Sequence, residues 1–185
     1  FVIPLSFSAW KQALTSPAII MVLLVTLLSM SGQFTAFTYI APVIRVAFAG
    51  GPEQVAIAFA VAGVTGVVGN AIASRVVSHL GIDLVIAIAI AGLVLGLGLF
   101  ALSFGSFFLA LCGVGLWGLG SFSSNSLQQS RLVVLAPPIA SATIALNTSV
   151  VYLGQSIGSV AGGRMVDAGR MTATPFVALA FMAAA

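Results

Sequence analysis

The chain has 185 residues, of which 61% are hydrophobic and 5% are charged. A soluble domain carries about a quarter charged residues, so this composition excludes a water-facing surface and predicts an all-α integral membrane protein. The net charge of +3 comes from six basic and three acidic residues. It reflects a scarcity of acidic residues rather than a basic patch, so we expect no nucleic-acid partner.

Hydrophobic stretches follow one another along the chain and are joined by short connections rich in glycine and proline. A span of about 20 residues, at about 1.5 Å per residue, crosses a hydrocarbon core of ~30 Å. A tight turn is predicted at Ser103–Ser106, between the third and fourth stretches. We therefore predict a single domain, residues 1–185, with six transmembrane spans near 17–44, 54–77, 84–102, 107–129, 139–162 and 173–185, the last one truncated.

In the predicted fifth span, one face of the helix consists of glycines and the neighbouring face is polar. Three glycines recur every four residues and would form a helix-packing stripe, because small residues let two membrane helices approach at backbone distance; they are Gly154, Gly158 and Gly162. A polar stripe lies about 100° away around the helix and comprises Thr148, Tyr152, Gln155 and Ser159. We expect the polar face to meet protein or water, since unsatisfied polar groups in hydrocarbon are costly.

Polar and aromatic residues near the middle of several spans are candidates for lining a water-accessible, substrate-binding cavity. Their amides and hydroxyls can donate and accept hydrogen bonds without a fixed charge. The same groups could instead tie helix to helix, and both interpretations stay open from the sequence. The candidates are Gln33, Phe37, Tyr39, Asn125, Gln128, Asn147, Tyr152 and Gln155.

Several motifs follow one another in an informative order. The first span closes with FTYIAP at residues 37–42, and Gly69-Asn70 in the second span is followed by Arg75 and Gly81. Gln129-Ser-Arg131, Ala136-Pro137 and Ala145-Leu-Asn147 then precede the glycine stripe of the fifth span. This series resembles the C-terminal half of twelve-span drug–proton antiporters of the major facilitator superfamily, in particular the arabinose-efflux-permease-like branch.

The resemblance implies a fold and a function. The chain would be spans seven to twelve of a longer protein, a six-helix half whose N-terminal partner half is missing. It would act as a secondary active transporter in the bacterial cytoplasmic (inner) membrane, exporting small organic molecules or sugars by alternating access and coupled to protons. Arg75 and Gly81 would belong to a gating loop. The expected partners are membrane lipid, the missing half, a small-molecule substrate and protons.

Two other classes of membrane protein stay open as alternatives. A channel or structural membrane subunit would line a continuous pore with the polar faces, although the sequence contains no charged ring of the kind that channels use. An intramembrane hydrolase would need a histidine within the membrane as a base, and the single histidine, His79, lies in a joint. We therefore expect no enzyme activity, no cofactor and, with one cysteine in the chain, no metal site.

Overall fold

The computed structural model describes residues 7–103 and 105–185. Residues 1–6 of the predicted domain and Phe104, in the predicted turn, lie outside the described residues. The described residues form eight α-helices, which confirms the all-helical prediction: α1 (Phe7–Thr15), α2 (Pro17–Phe37), α3 (Ile40–Phe48), α4 (Pro52–Leu80), α5 (Ile82–Leu102), α6 (Phe107–Leu135), α7 (Ala140–Asp167) and α8 (Thr174–Ala183). Short 3-10 turns at Pro137–Ile139 and Met171–Ala173 lead into α7 and α8.

Four helices among the described residues are long and apolar enough to cross a membrane: α2, α4, α5 and α6. α7 has 28 residues but is more polar than these four, because its outward face carries serine and threonine. α8 has ten residues. Four of the six predicted spans thus correspond to helices that could cross a membrane, and the six-span bundle stays a prediction.

The predicted first span, residues 17–44, is divided into two helices. The break falls at Thr38 and Tyr39, where Tyr39 leaves helical geometry with φ −112° and ψ 15°. Pro42 accounts for the break, since proline lacks an N–H and its ring excludes the carbonyl of the residue four positions earlier, which is Thr38. The change of direction carries the Tyr39 hydroxyl to α7, where it donates to the carbonyl oxygen of Ser159 at 2.9 Å.

The helices pack in pairs around α6. α5 and α4 each lie along α6, α2 lies along α7, and α8 fits against α2 and α5. The contact between α5 and α6 is made at backbone distance, because a Cβ on Gly96 would lie 2.6 Å from the Cα of Trp117. A buried core fills the space beside this contact and includes Leu93, Leu97, Phe100, Val114 and Trp117.

The glycine stripe of α7 lies against α2. A Cβ on Gly154 would lie 2.7 Å from the carbonyl oxygen of Leu27, and one on Gly162 would lie 2.7 Å from that of Thr35. Between them, a Cβ on Gly158 would overlap the carbonyl oxygen of Ser31. Backbone atoms cannot rotate away as a long side chain can. Only glycine, whose side chain is a single hydrogen atom, therefore fits at these positions.

We predict that Gly158→Ala destabilises the full-length protein by about 1–3 kcal/mol, the usual cost of overpacking a well-filled contact. Gly63→Ala on α4 is the matched control, because a Cβ there would have no atom within 4 Å. The control should be neutral or gain up to about 1 kcal/mol from helix propensity. Unfolding in mixed micelles of increasing denaturing detergent measures both variants. Equal stability of the two would contradict the assigned contact.

Candidate functional site

A cavity of about 390 Å³, here called the polar cavity, lies between four helices. α2 contributes Gln33, α4 contributes Asn70, α6 contributes Asn125 and α7 contributes Gln155. Four side-chain amides from four different helices therefore face one space. Amides both donate and accept hydrogen bonds without a charge, so this cavity suits an uncharged polar molecule or water.

A second cavity of about 160 Å³, here called the aromatic cavity, adjoins the first. It lies between α2, α4 and α6 and shares Gln33, Phe34, Ser121 and Phe122 with the polar cavity. Phe37 lines this cavity. The centroid of its ring lies 5.4 Å from that of Phe59 and 5.9 Å from that of Trp117, and both pairs are nearly edge to face. Such edge-to-face pairs are favourable beyond the area that they bury.

Gln33 stands at the boundary between the two cavities. Its side chain is 3% exposed, and the Ser121 hydroxyl donates to its Oε1 at 2.7 Å. Its Nε2 has no hydrogen-bond partner among the described residues, and neither has the Nε1 of Trp117. A buried donor without a partner costs about 1–3 kcal/mol, so these two nitrogens are the least satisfied donors beside the cavities.

Asn147 is itself fully buried and belongs to a hydrogen-bonded chain that joins three helices. Thr26 on α2 donates to its Oδ1 at 3.0 Å, and its Nδ2 donates to Asn125 on α6 at 3.4 Å. Gln128 borders a separate small cavity of about 10 Å³ beside Thr26 and Asn125. Both residues thus line neither the polar cavity nor the aromatic cavity, and Asn147 joins helices instead.

The two tyrosines predicted as cavity residues are also placed elsewhere. The hydroxyl of Tyr39 is bonded to α7, as described above. Tyr152 points outward, with 64% of its surface exposed. Of the eight predicted residues, the structure therefore brings four to the adjoining cavities: Gln33, Phe37, Asn125 and Gln155.

Sequence reasoning missed several lining residues that share helical faces. On α4, Phe59, Gly63 and Asn70 lie on one face, at spacings of four and seven residues. On α6, Trp117 and Ser121 precede the predicted Asn125 at four-residue spacing, and all three line one or both cavities. These spacings were visible in the sequence and could have identified both faces.

Arg75 and Gly81, predicted as a gating loop, lie at the end of α4 and do not line either cavity. Gly81 joins α4 to α5 with φ +79°, a conformation that favours glycine. Nearby, Arg131 and Asp83 form an ion pair at 3.1 Å whose side chains are 36% and 76% exposed. An exposed pair of this kind contributes little to stability.

We predict that Asn147→Leu destabilises the full-length protein by about 0.6–1.7 kcal/mol, the range measured for hydrogen bonds between membrane helices. Thr26→Val should have a smaller effect, because it leaves the hydrogen bond between Asn147 and Asn125 in place. A double-mutant cycle in detergent measures the coupling, and the double variant should lose less than the sum of the single losses. Strict additivity would show that Thr26 and Asn147 do not interact.

Comparison with known proteins gives one informative relative. No family model matches the chain. A protein of Pseudomonas aeruginosa named "Transcription regulatory protein OpdE" is 27% identical over 169 residues, which are 91% of this chain and 42% of the relative. The chain therefore spans about two fifths of the length of this relative.

This finding corrects the family and the function predicted from the sequence. The relative is named as a transcription regulator, so the assignment to drug–proton antiporters of the major facilitator superfamily is wrong, and proton-coupled efflux with it. The motifs that suggested the resemblance have a structural cause. The glycines at four-residue spacing set close helix contacts, and Pro42 causes the break at Thr38 and Tyr39. Any tightly packed membrane bundle needs such contacts whatever its function.

Proposed function

We propose that the protein is a membrane-embedded regulator that changes the transcription of other genes, located in the bacterial cytoplasmic membrane. The similarity to a protein named as a transcription regulator, over 91% of this chain, supports the regulatory role. Four helices apolar enough to cross a membrane support the location. The proposal concerns the whole protein, of which this chain is about two fifths if its length matches the relative.

The effect on transcription would be indirect, without nucleic-acid binding by this chain. DNA binding depends on lysine and arginine contacts to phosphates, and the chain has six such residues in total. They are scattered near helix ends, and Arg131 is already paired with Asp83. A second molecule would therefore carry the signal from the membrane to the gene.

The polar cavity would be the sensing site, and the convergence of amides from α2, α4, α6 and α7 carries this part of the proposal. α2 packs tightly on α7, and α4 packs tightly on α6. A small uncharged molecule bonded to Gln33 and Gln155 on one side and to Asn70 and Asn125 on the other would bridge the two pairs. Such a ligand would favour one relative position of the pairs, as a ligand favours the state that it binds better.

The lining of the polar cavity supports binding rather than catalysis. It consists of amides, hydroxyls, aromatic rings and aliphatic groups, such as Ser126, Phe34 and Val151. These groups can hold and orient a molecule, but none is an acid or base that titrates near neutral pH. We therefore propose a receptor for a small molecule in contact with membrane lipid, and no enzyme.

We predict that deleting the gene in its host changes the transcript levels of a defined set of genes and that the wild-type gene restores them. Gln155→Leu should fail to restore them, because it removes an amide from the polar cavity. Gln12→Leu is the matched control, since it makes the same change at an exposed position of α1. RNA sequencing measures the transcripts, and immunoblots of the membrane fraction confirm equal protein levels.

Two results would contradict different parts of the proposal. Unchanged transcripts after deletion, under growth conditions in which the protein is made, would rule out a regulatory role. Full restoration by Gln155→Leu would leave the regulatory role standing but remove the polar cavity from it.

A further inference from the structure

The aromatic cavity contains a chemical mismatch. Its wall is built mainly from rings, including Phe34, Phe37 and Phe59. Two of its residues nevertheless carry buried donors without a partner among the described residues, Gln33 Nε2 and Trp117 Nε1. Buried polar groups in proteins are nearly always hydrogen-bonded, and each exception needs an explanation. Gln33 and Trp117 both line the cavity, so a molecule bound there would lie beside the two residues that lack an acceptor.

The size and walls of the cavity suit one aromatic ring. An engineered cavity of about 150 Å³ in another protein binds benzene, and this cavity has about 160 Å³. Phe37 already meets Phe59 and Trp117 edge to face at 5.4 and 5.9 Å. A ligand ring can add to such an arrangement with the same favourable geometry.

The polarity of the cavity indicates an uncharged ligand that carries an acceptor. None of the described residues that line the aromatic cavity is charged, so an anion would have no counter-ion among them. Aromatic walls alone could attract a cation, but the two unsatisfied groups are donors, whose positive ends repel a cation. An oxygen with free lone pairs can accept a hydrogen bond from these donors, which the surrounding rings leave without a partner.

We propose that the aromatic cavity binds an uncharged, single-ring aromatic molecule whose carbonyl or ether oxygen accepts a hydrogen bond from Gln33 or Trp117. This inference rests on the proposed function and goes beyond it, because it adds a binding site beside the polar cavity. Gln33 also borders the polar cavity, so a ligand that bonds its amide in the aromatic cavity would also change the lining of the polar cavity.

The chain offers a way to block this cavity without a clash. Gly63 lines the cavity, and a Cβ on it would have no atom within 4 Å. A leucine at this position would occupy the cavity while the helix backbone stays in place. Gly98 on α5 is a matched control, because it is also an open helical glycine, with its nearest atom 4.0 Å away, and it does not line the cavity.

The test measures binding of 4-fluoroacetophenone to the full-length protein in detergent micelles by fluorine NMR, with 1-ethyl-4-fluorobenzene as a probe of similar shape without an acceptor. Empty micelles correct for partitioning into detergent. The ketone should bind about 2- to 12-fold more tightly than the hydrocarbon, which is the net contribution of one hydrogen bond. Gly63→Leu should abolish binding of both probes, and Gly98→Leu should leave both unchanged.

Two further variants test the hydrogen-bond donors without filling the cavity. Trp117→Phe removes an N–H and keeps a ring, and Gln33→Met removes the amide and keeps a side chain of similar length. If either donor bonds the ketone, the corresponding variant should lower the preference for the ketone to about 1. Should Trp117→Phe fail to fold, Gly63→Leu still tests the site, and an unchanged ketone preference in Gln33→Met assigns the hydrogen bond to Trp117.

Each contrary result overturns a stated part. Equal binding of the two probes to the wild-type protein would overturn the acceptor, and tighter binding of trimethylphenylammonium would overturn the uncharged class. Binding that survives Gly63→Leu would overturn the site. Ketone binding with no transcript change after gene deletion would overturn the regulatory function alone, whereas a transcript effect of Gln155→Leu without ketone binding would overturn this inference alone.

Discussion

Backbone contact at glycine is the constraint on which the rest of this structure depends. Between membrane helices there is little hydrophobic driving force, because lipid tails are as apolar as leucine, so association relies on close van der Waals contact. The described residues meet this need at several seams, including α2 against α8, where a Cβ on Gly32 would lie 2.8 Å from the carbonyl oxygen of Ala178. α7 meets α2 at the stripe centred on Gly158, α5 meets α6 at Gly96, and α4 meets α6 at Gly69, where a Cβ would overlap the backbone of Leu119.

These seams also decide where polar groups can collect. Where two helices touch at glycine, no side chain fits between them, so amides and large rings lie where the helix pairs diverge. Gln33 shows this on α2, which packs on α7 through its other face while Gln33 faces α4 and α6 at the two cavities. The arrangement that holds the bundle together therefore also produces its candidate binding site.

The same constraint explains why the motifs indicated the wrong family. Glycines spaced by four and a proline after a helix break describe how helices pack, and unrelated functions can use the same packing. The residues that distinguish one function from another are the lining residues, and most of their positions depend on how each helix is rotated. Asn147 and Gln155 lie on one helix, yet Asn147 is buried in a helix-joining network and Gln155 borders the polar cavity.

Composition and spacing alone determined the helical class, most of the helix positions and the glycine face of α7, because these depend on local polarity and on a helix's fixed period. Tertiary structure decided which polar residues meet. α2 is apolar around most of its circumference, so its periodicity does not show which face turns inward, and Tyr152 on α7 faces outward. Only the structure also shows what the break at Thr38 and Tyr39 leads to. It places the hydroxyl of Tyr39 where it donates to the carbonyl oxygen of Ser159, 120 residues away in the sequence.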